Sequence, residues 1–150
     1  MILFLCSVSL CTHIAQSIPG REFQTEDACL EVVWQAEAQG VDPVLAMSVA
    51  WHESRFRRSA VSSAGAVGVM QVLPRYWCKS KPCDHIEAGV RALRHYTKRR
   101  GVRDGLCSYF SGRRCKQAGR TAQRYADKVL KLASSYRAIK FENCEDVDGC

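Results

Sequence analysis

The sequence has no internal repeat, no low-complexity tract and no stretch that reads as a linker. These absences exclude a solenoid, a disordered chain and a string of domains, and 150 residues are enough for one domain with a core. A long apolar run is missing near the start, where Ile2 to Leu10 is too short for a comfortable membrane span. Acidic residues are in short supply, 15 against 22 Lys and Arg. The resulting charge of +7 favours anionic partners such as nucleic acid, anionic lipid or an anionic wall polymer, without choosing among them. Well-spaced histidines are absent around the C-x4-C of Cys78 and Cys83 and the C-x7-C of Cys107 and Cys115, so no metal and no cofactor is expected. What is present, 47% hydrophobic and 25% charged residues, is the composition of an ordinary soluble globule.

Met1 to Ser17 carry no Lys, Arg, Asp or Glu, and Ala15 and Ser17 put small residues at the two positions a signal peptidase reads. The expectation is a secretory leader over 1–17, cut after Ser17, with a retained anchor as the alternative because the usual basic start is lacking. Nine cysteines agree with export to an oxidising compartment, the periplasm or cell envelope. Cys78 with Cys83 and Cys107 with Cys115 would each close a local ring worth about 2 to 3 kcal/mol. Cys29 is left to seek Cys144 or Cys150, tying the tail to the first helix of the mature chain.

The expected fold is mostly α, a single helical domain over 18–150 with a small extended patch and disulfide-braced loops. Thr25 can cap a helix starting near Glu26, with Cys29, Val32, Val33 and Ala36 on one face and Gly40 as the stop. Asp42-Pro43 supplies a cap and a first-turn proline for a second helix running to about Glu53. Ser59 to Gly68 suits a tight reversal, Val67 to Leu73 a short extended segment, and a third helix starts at His85 with Gly89 as a close-packing point. Gly101 to Gly119 reads as a polar loop, Ala122 to Tyr136 as the last long helix, and Phe141 to Cys150 as an acidic, irregular tail.

Chemistry concentrates in Trp51 to Pro74. The apolar approach through Val44, Leu45, Met47, Val49 and Ala50 carries Glu53 into a poorly solvated place, where a carboxyl stays protonated near neutral pH and serves as a proton donor. His52, its neighbour, is expected to point elsewhere.

The run Glu53-Ser54-x-Phe56, Ala60, Ser62, Gly65-Ala66-x-Gly68-x-Met70-Gln71, Pro74 resembles the motif of the soluble lytic transglycosylases, which share the goose-type lysozyme fold. Ile86-x-x-Gly89, Tyr109 to Gly112 and Tyr125 with Val129 follow in the family's order, so the resemblance covers roughly Val41 to Leu132. It departs at Arg58, where proline is usual, at Val69 and Leu73, and at Phe110-Ser111, which replace Asn-Ala. The resemblance implies an α+β lysozyme-like enzyme acting on peptidoglycan glycan strands, with Glu53 as the single acid and base. It also implies contacts to sugar from Ser62, Met70 and Gln71, and for Tyr109 and Tyr125 either orientation of Glu53 or packing on a sugar ring face. On pattern alone Tyr125 is a core residue of an apolar helical face, and Ser62 and Gln71 can equally serve the turn backbone.

The implied reaction closes a 1,6-anhydro ring on the muramoyl residue without consuming water. The alternatives are a hydrolytic lysozyme of the same fold, a basic nucleic-acid-binding module, which would need neither leader nor cysteine rings, and a catalytically silent glycan-binding protein. The expectation is a monomer that binds no nucleic acid and meets membrane only through an uncleaved leader. Its small size suits a phage or specialised local role.

Overall fold

In the computed structural model of the chain, backbone is described from residue 2 to residue 145 and side chains from residue 6 to residue 139. The helices are α1 (Ile2–Gln16), α2 (Glu22–Ala38), α3 (Pro43–Ser54), α4 (Pro74–Trp77), α5 (His85–Arg100), α6 (Val102–Ser111) and α7 (Cys115–Glu145). The expected mostly helical single domain is what the chain forms. The extended patch reduces to isolated antiparallel bridges, Val61 with Val67 and Val67 with Val72. Val67 to Leu73 is therefore a turn folded back on itself, because Val67 and Val72 exchange both backbone hydrogen bonds.

At the centre lies α3. Every residue from Val44 to Ala50 is buried, so this helix is apolar all round and is covered on several sides by α2, α7 and the loop after it. Its start is as the sequence dictates: the Asp42 carboxylate accepts from Val44 N at 2.9 Å and Pro43 takes the first turn. Its end is abrupt, because Arg55 and Phe56 both adopt positive φ, 51° and 58°. Phe56, a bulky residue in that region, is held there by near-complete burial. The chain thus leaves α3 one residue after Ser54, and Glu53 stays at the mouth of the core rather than inside it.

Several expectations are corrected. Thr25 does not cap α2, which begins at Glu22; Thr25 lies within the helix, fully buried, and its N–H donates to Arg21 O at 2.9 Å. The polar loop expected over 101–119 contains α6, whose Gly105, Leu106, Cys107 and Ser108 are buried between α5 and α7. Gly105 makes that seat available: a Cβ there would lie 2.6 Å from Thr97 Cα. α7 begins at Cys115, breaks its helical geometry at Gly119 and runs helically through Glu145, so the first part of the expected irregular tail is helix. Asp146 to Cys150 lie outside the described residues.

Cys78–Cys83 and Cys107–Cys115 form the two expected local disulfides. Cys29 pairs with Cys11 instead of a tail cysteine. The reason is packing: α1 lies along α2 and α7 with Leu10, Cys11 and Ile14 in the core, and Thr12 Oγ1 donates to Glu26 at 2.6 Å. The side chains of Cys144 and Cys150 are outside the described residues. No helix among the described residues is long and apolar enough to cross a membrane.

Candidate active site

Four helices bring their side chains to one groove of about 720 Å3. Glu53 comes from the end of α3, Tyr96 from α5, and Tyr109, Phe110 and Ser111 from α6, while Ser62, Gln71 and Leu73 come from the loop between α3 and α4. Arg75, Tyr76 and Trp77 of α4 complete the lining. Trp77 is braced by the edges of His95 and Tyr96 at ring separations of 5.4 and 5.8 Å, and its carbonyl accepts from Arg91. The Cys78–Cys83 ring follows α4 directly and Cys107–Cys115 joins α6 to α7, so both disulfides stand next to elements that line the groove.

Glu53 is partly buried, and burial pushes its carboxyl up from 4.5 to about 7. One interaction opposes that rise: Tyr125 donates its phenol hydrogen to Glu53 Oε1 at 2.6 Å, which favours the charged form. The net effect is a carboxyl that holds its proton at near-neutral pH. The Tyr125 phenol is itself driven well up, by burial first and then by the negative charge of Glu53, so it remains a donor. Tyr109 shares these causes and donates to Met70 O at 2.6 Å.

The loop that carries the motif is fastened by several polar side chains. Ser54, buried, donates to Val69 O at 2.7 Å and accepts from Arg57 N at 3.0 Å, linking the end of α3 to the far side of the turn. Arg58, where proline was expected from the resemblance, ties the loop to α2 through Asp27 at 2.7 Å and Glu31 at 2.6 Å. Ser62 Oγ accepts from Ala66 N at 3.0 Å. Gln71 donates from Nε2 to both Ala60 O and Gly68 O, at 3.1 and 3.0 Å, while its own backbone sits at φ 48°. Two carbonyl partners fix the orientation of the amide, since only its NH2 end can meet both.

Of the residues named from sequence, Glu53, Ser62, Gln71 and Tyr109 line the groove. Tyr125 reaches Glu53 from α7 behind that lining. Met70 is fully buried, and its carbonyl is taken by Tyr109, so it forms part of the floor and not of the surface. Gly89 makes room for it, since a Cβ there would stand 2.3 Å from Met70 Cβ. His52 does not line the groove; its ring stands edge-on to Tyr125 with centroids 6.5 Å apart, and partial desolvation lowers its pKa. Ser54 and Phe110 were not assigned roles from sequence, and the motif position of Ser54 next to the acid was the available signal.

The cluster of metal-ligating atoms among the described residues, Cys78, Cys83 and His85, has its two sulfurs bonded to each other and therefore offers no thiolate. A partly buried, proton-holding carboxyl at the edge of a long groove, with a tyrosine fixed on one of its oxygens, is equipped to donate a proton to a bound ligand. Among models of known families, that of the transglycosylase SLT domain matches residues 33–131. No curated protein matches the chain.

Proposed function

The chain belongs to the transglycosylase SLT domain family, whose model covers more than half of its 150 residues, and from that premise we propose that it cleaves the β-1,4 bond between N-acetylmuramic acid and N-acetylglucosamine with Glu53 as the single acid and base. A lytic transglycosylase-type function on peptidoglycan is what the family carries. The observation that supports the role of Glu53 is its protonation near neutral pH together with its place on the groove. Tyr125 engages Oε1, and a neutral carboxyl presents its proton from the other oxygen.

In the proposed reaction that proton goes to the bridging oxygen, the bond from the muramoyl C1 to this oxygen breaks, and the N-acetyl group stabilises the cationic centre. The Glu53 carboxylate then takes the proton of the muramoyl C6 hydroxyl, and O6 bonds to C1. Glu53 ends protonated again and no water is used. The phenol of Tyr125 helps the first half, because its hydrogen bond stabilises the carboxylate that proton donation leaves behind.

Charge supports the substrate class. Between Lys98 and Lys131 the chain carries eleven Lys or Arg and only two acids, Asp104 and Asp127. Asp104 is occupied as acceptor to Cys115 N, and Asp127 pairs with Arg103 at 3.0 Å. This stretch continues directly from the groove residues Ser111 and Gly112, where the stem-peptide carboxylates of a wall polymer would be attracted to it. Export to the cell envelope belongs to the same proposal and agrees with the disulfides among the described residues; Cys11–Cys29, with Leu10, Cys11 and Ile14 in the core, favours a leader that stays attached over one cut after Ser17.

Product analysis on purified peptidoglycan tests the proposal. Anhydro-muropeptides are expected from the wild type and none from Glu53→Gln. Reducing-end muropeptides would assign hydrolysis to the same site, and undiminished turnover by Glu53→Gln would overturn its role.

A further inference from the structure

Phe110 is the residue at which the resemblance to the family fails most sharply, and its surroundings give it a specific task. It occupies the last turn of α6, is 47% exposed and lines the groove. One face of the ring stacks on Tyr125 with centroids 4.8 Å apart and an interplanar angle of 30°. Tyr125 in turn donates to Glu53 Oε1 at 2.6 Å. The stack therefore connects α6 to the acid on α3 through a residue of α7.

The backbone that presents Phe110 is well held. Tyr109, its neighbour, is anchored on Met70 O; Cys107 is covalently tied to Cys115; Gly112 N closes the helix on Ser108 O at 2.7 Å. A ring on such a support can restrain its partner, whereas an asparagine amide at the same place would prefer water or a polar ligand and has no broad apolar face to offer. We propose that Phe110 is a positioning residue, whose ring clamps the Tyr125 phenol onto Glu53 and keeps water from the pair.

Two consequences of losing the ring oppose each other. Admitting water to Glu53 favours its charged form and lowers its pKa, while loosening the Tyr125 hydrogen bond raises it. Phe110 lines the same groove as Glu53, so removing its ring opens the carboxyl to water, and the acid should titrate lower. The other groups around the pair are Tyr109 from α6, His52 and Arg55 from the end of α3, and Lys128 from α7.

The proposal rests on the reading of Glu53 as proton donor, and its test separates the two. Glu53 is titrated directly by carbon NMR of its side-chain carboxyl, without substrate, in wild type, Phe110→Ala, Phe110→Asn and Phe110→Tyr. The expected result is a midpoint moved toward the ordinary carboxylate range in the alanine and asparagine variants and retained in the tyrosine variant. On peptidoglycan, kcat should fall about tenfold in the first two, with KM within about twofold and the high-pH limb of the profile displaced to lower pH, and Phe110→Tyr should restore all three. Asparagine carries the test if alanine disturbs α6, with a thermal melt as the check on folding. An unmoved Glu53 titration overturns the proposal, as does a raised KM with kcat and pH profile intact, which would make Phe110 a sugar contact. A displaced titration in a protein that makes no anhydro product would uphold the clamp and remove the assigned reaction.

Discussion

Glutamine at position 53 should make the protein more stable at about pH 8 and leave it nearly unchanged at about pH 4. The Glu53 carboxyl titrates near 4.5 in an unfolded chain and at about 7 in the fold, because burial disfavours its charge. Between those values the native state binds a proton that the unfolded state does not, so stability falls as pH rises through this window and the full penalty is present above it. At 1.36 kcal/mol for each unit of pKa, the penalty has an upper value of about 3 kcal/mol, to be discounted because Glu53 still meets solvent. Glutamine removes the charge and keeps an acceptor for Tyr125, and the stronger hold of the carboxylate on the phenol is already contained in the value of about 7. The expected net gain is about 2 kcal/mol at about pH 8, or roughly 4 to 8 °C in Tm for a chain of this length. Urea and thermal unfolding of both proteins from about pH 4 to about pH 9 measure it. A constant offset at all pH values, or a less stable variant at high pH, would refute the argument that burial of this one charge is what keeps the acid protonated.

Tyr125→Phe deletes the interaction that lowers the pKa of Glu53, so the high-pH limb of the activity profile should extend upward while kcat falls roughly tenfold, read from initial rates across pH. Gly105→Ala places a Cβ 2.6 Å from Thr97 Cα, a backbone atom that cannot step aside, and should cost about 2 kcal/mol or more in urea unfolding. Gly89→Ala meets the side chain of Met70 instead, so activity should suffer more than stability as the Tyr109 anchor shifts; a reversed order of the two losses would contradict the floor described for the groove. Binding of inactive Glu53→Gln to wall fragments should weaken from low to moderate salt, and neutralising Arg113 with Arg114 should reduce that salt dependence.

The acid was legible because every signal around it agreed. Asp42-Pro43 sets the start of α3, the apolar stretch Val44 to Ala50 dictates burial, and the serine and glycine content after Glu53 marks the turn. The helix α6 was hidden by its own glycines: Gly101 and Gly112 end it and Gly105 lets it lie against α5, and all three read as loop composition in one dimension. Val102, Leu106 and Tyr109 at helical spacing were the available counter-signal. Cys11–Cys29 was hidden for another reason, since spacing says nothing about partners, and the uncharged composition of 1–17 drew Cys11 out of the mature chain. Pattern alone shows Tyr125 as one more member of an apolar face, and only the family resemblance offered it a role beside Glu53; that its phenol reaches across depends on how α7 crosses α3.

The two turn-fastening side chains of the groove have a chemical sense that follows from their bonds. Both amide hydrogens of Gln71 are spent on Ala60 O and Gly68 O, so toward a ligand it can only accept, through Oε1. Ser62 already receives Ala66 N, which leaves its hydroxyl hydrogen free to be given. A groove with one fixed acceptor and one ready donor favours a substituent that is itself both, as an acetamido group is with its N–H and its carbonyl. A bare ether or a carboxylate would leave Gln71 unanswered, so on the proposed substrate the turn that holds the loop in place would also select the decoration of the sugar.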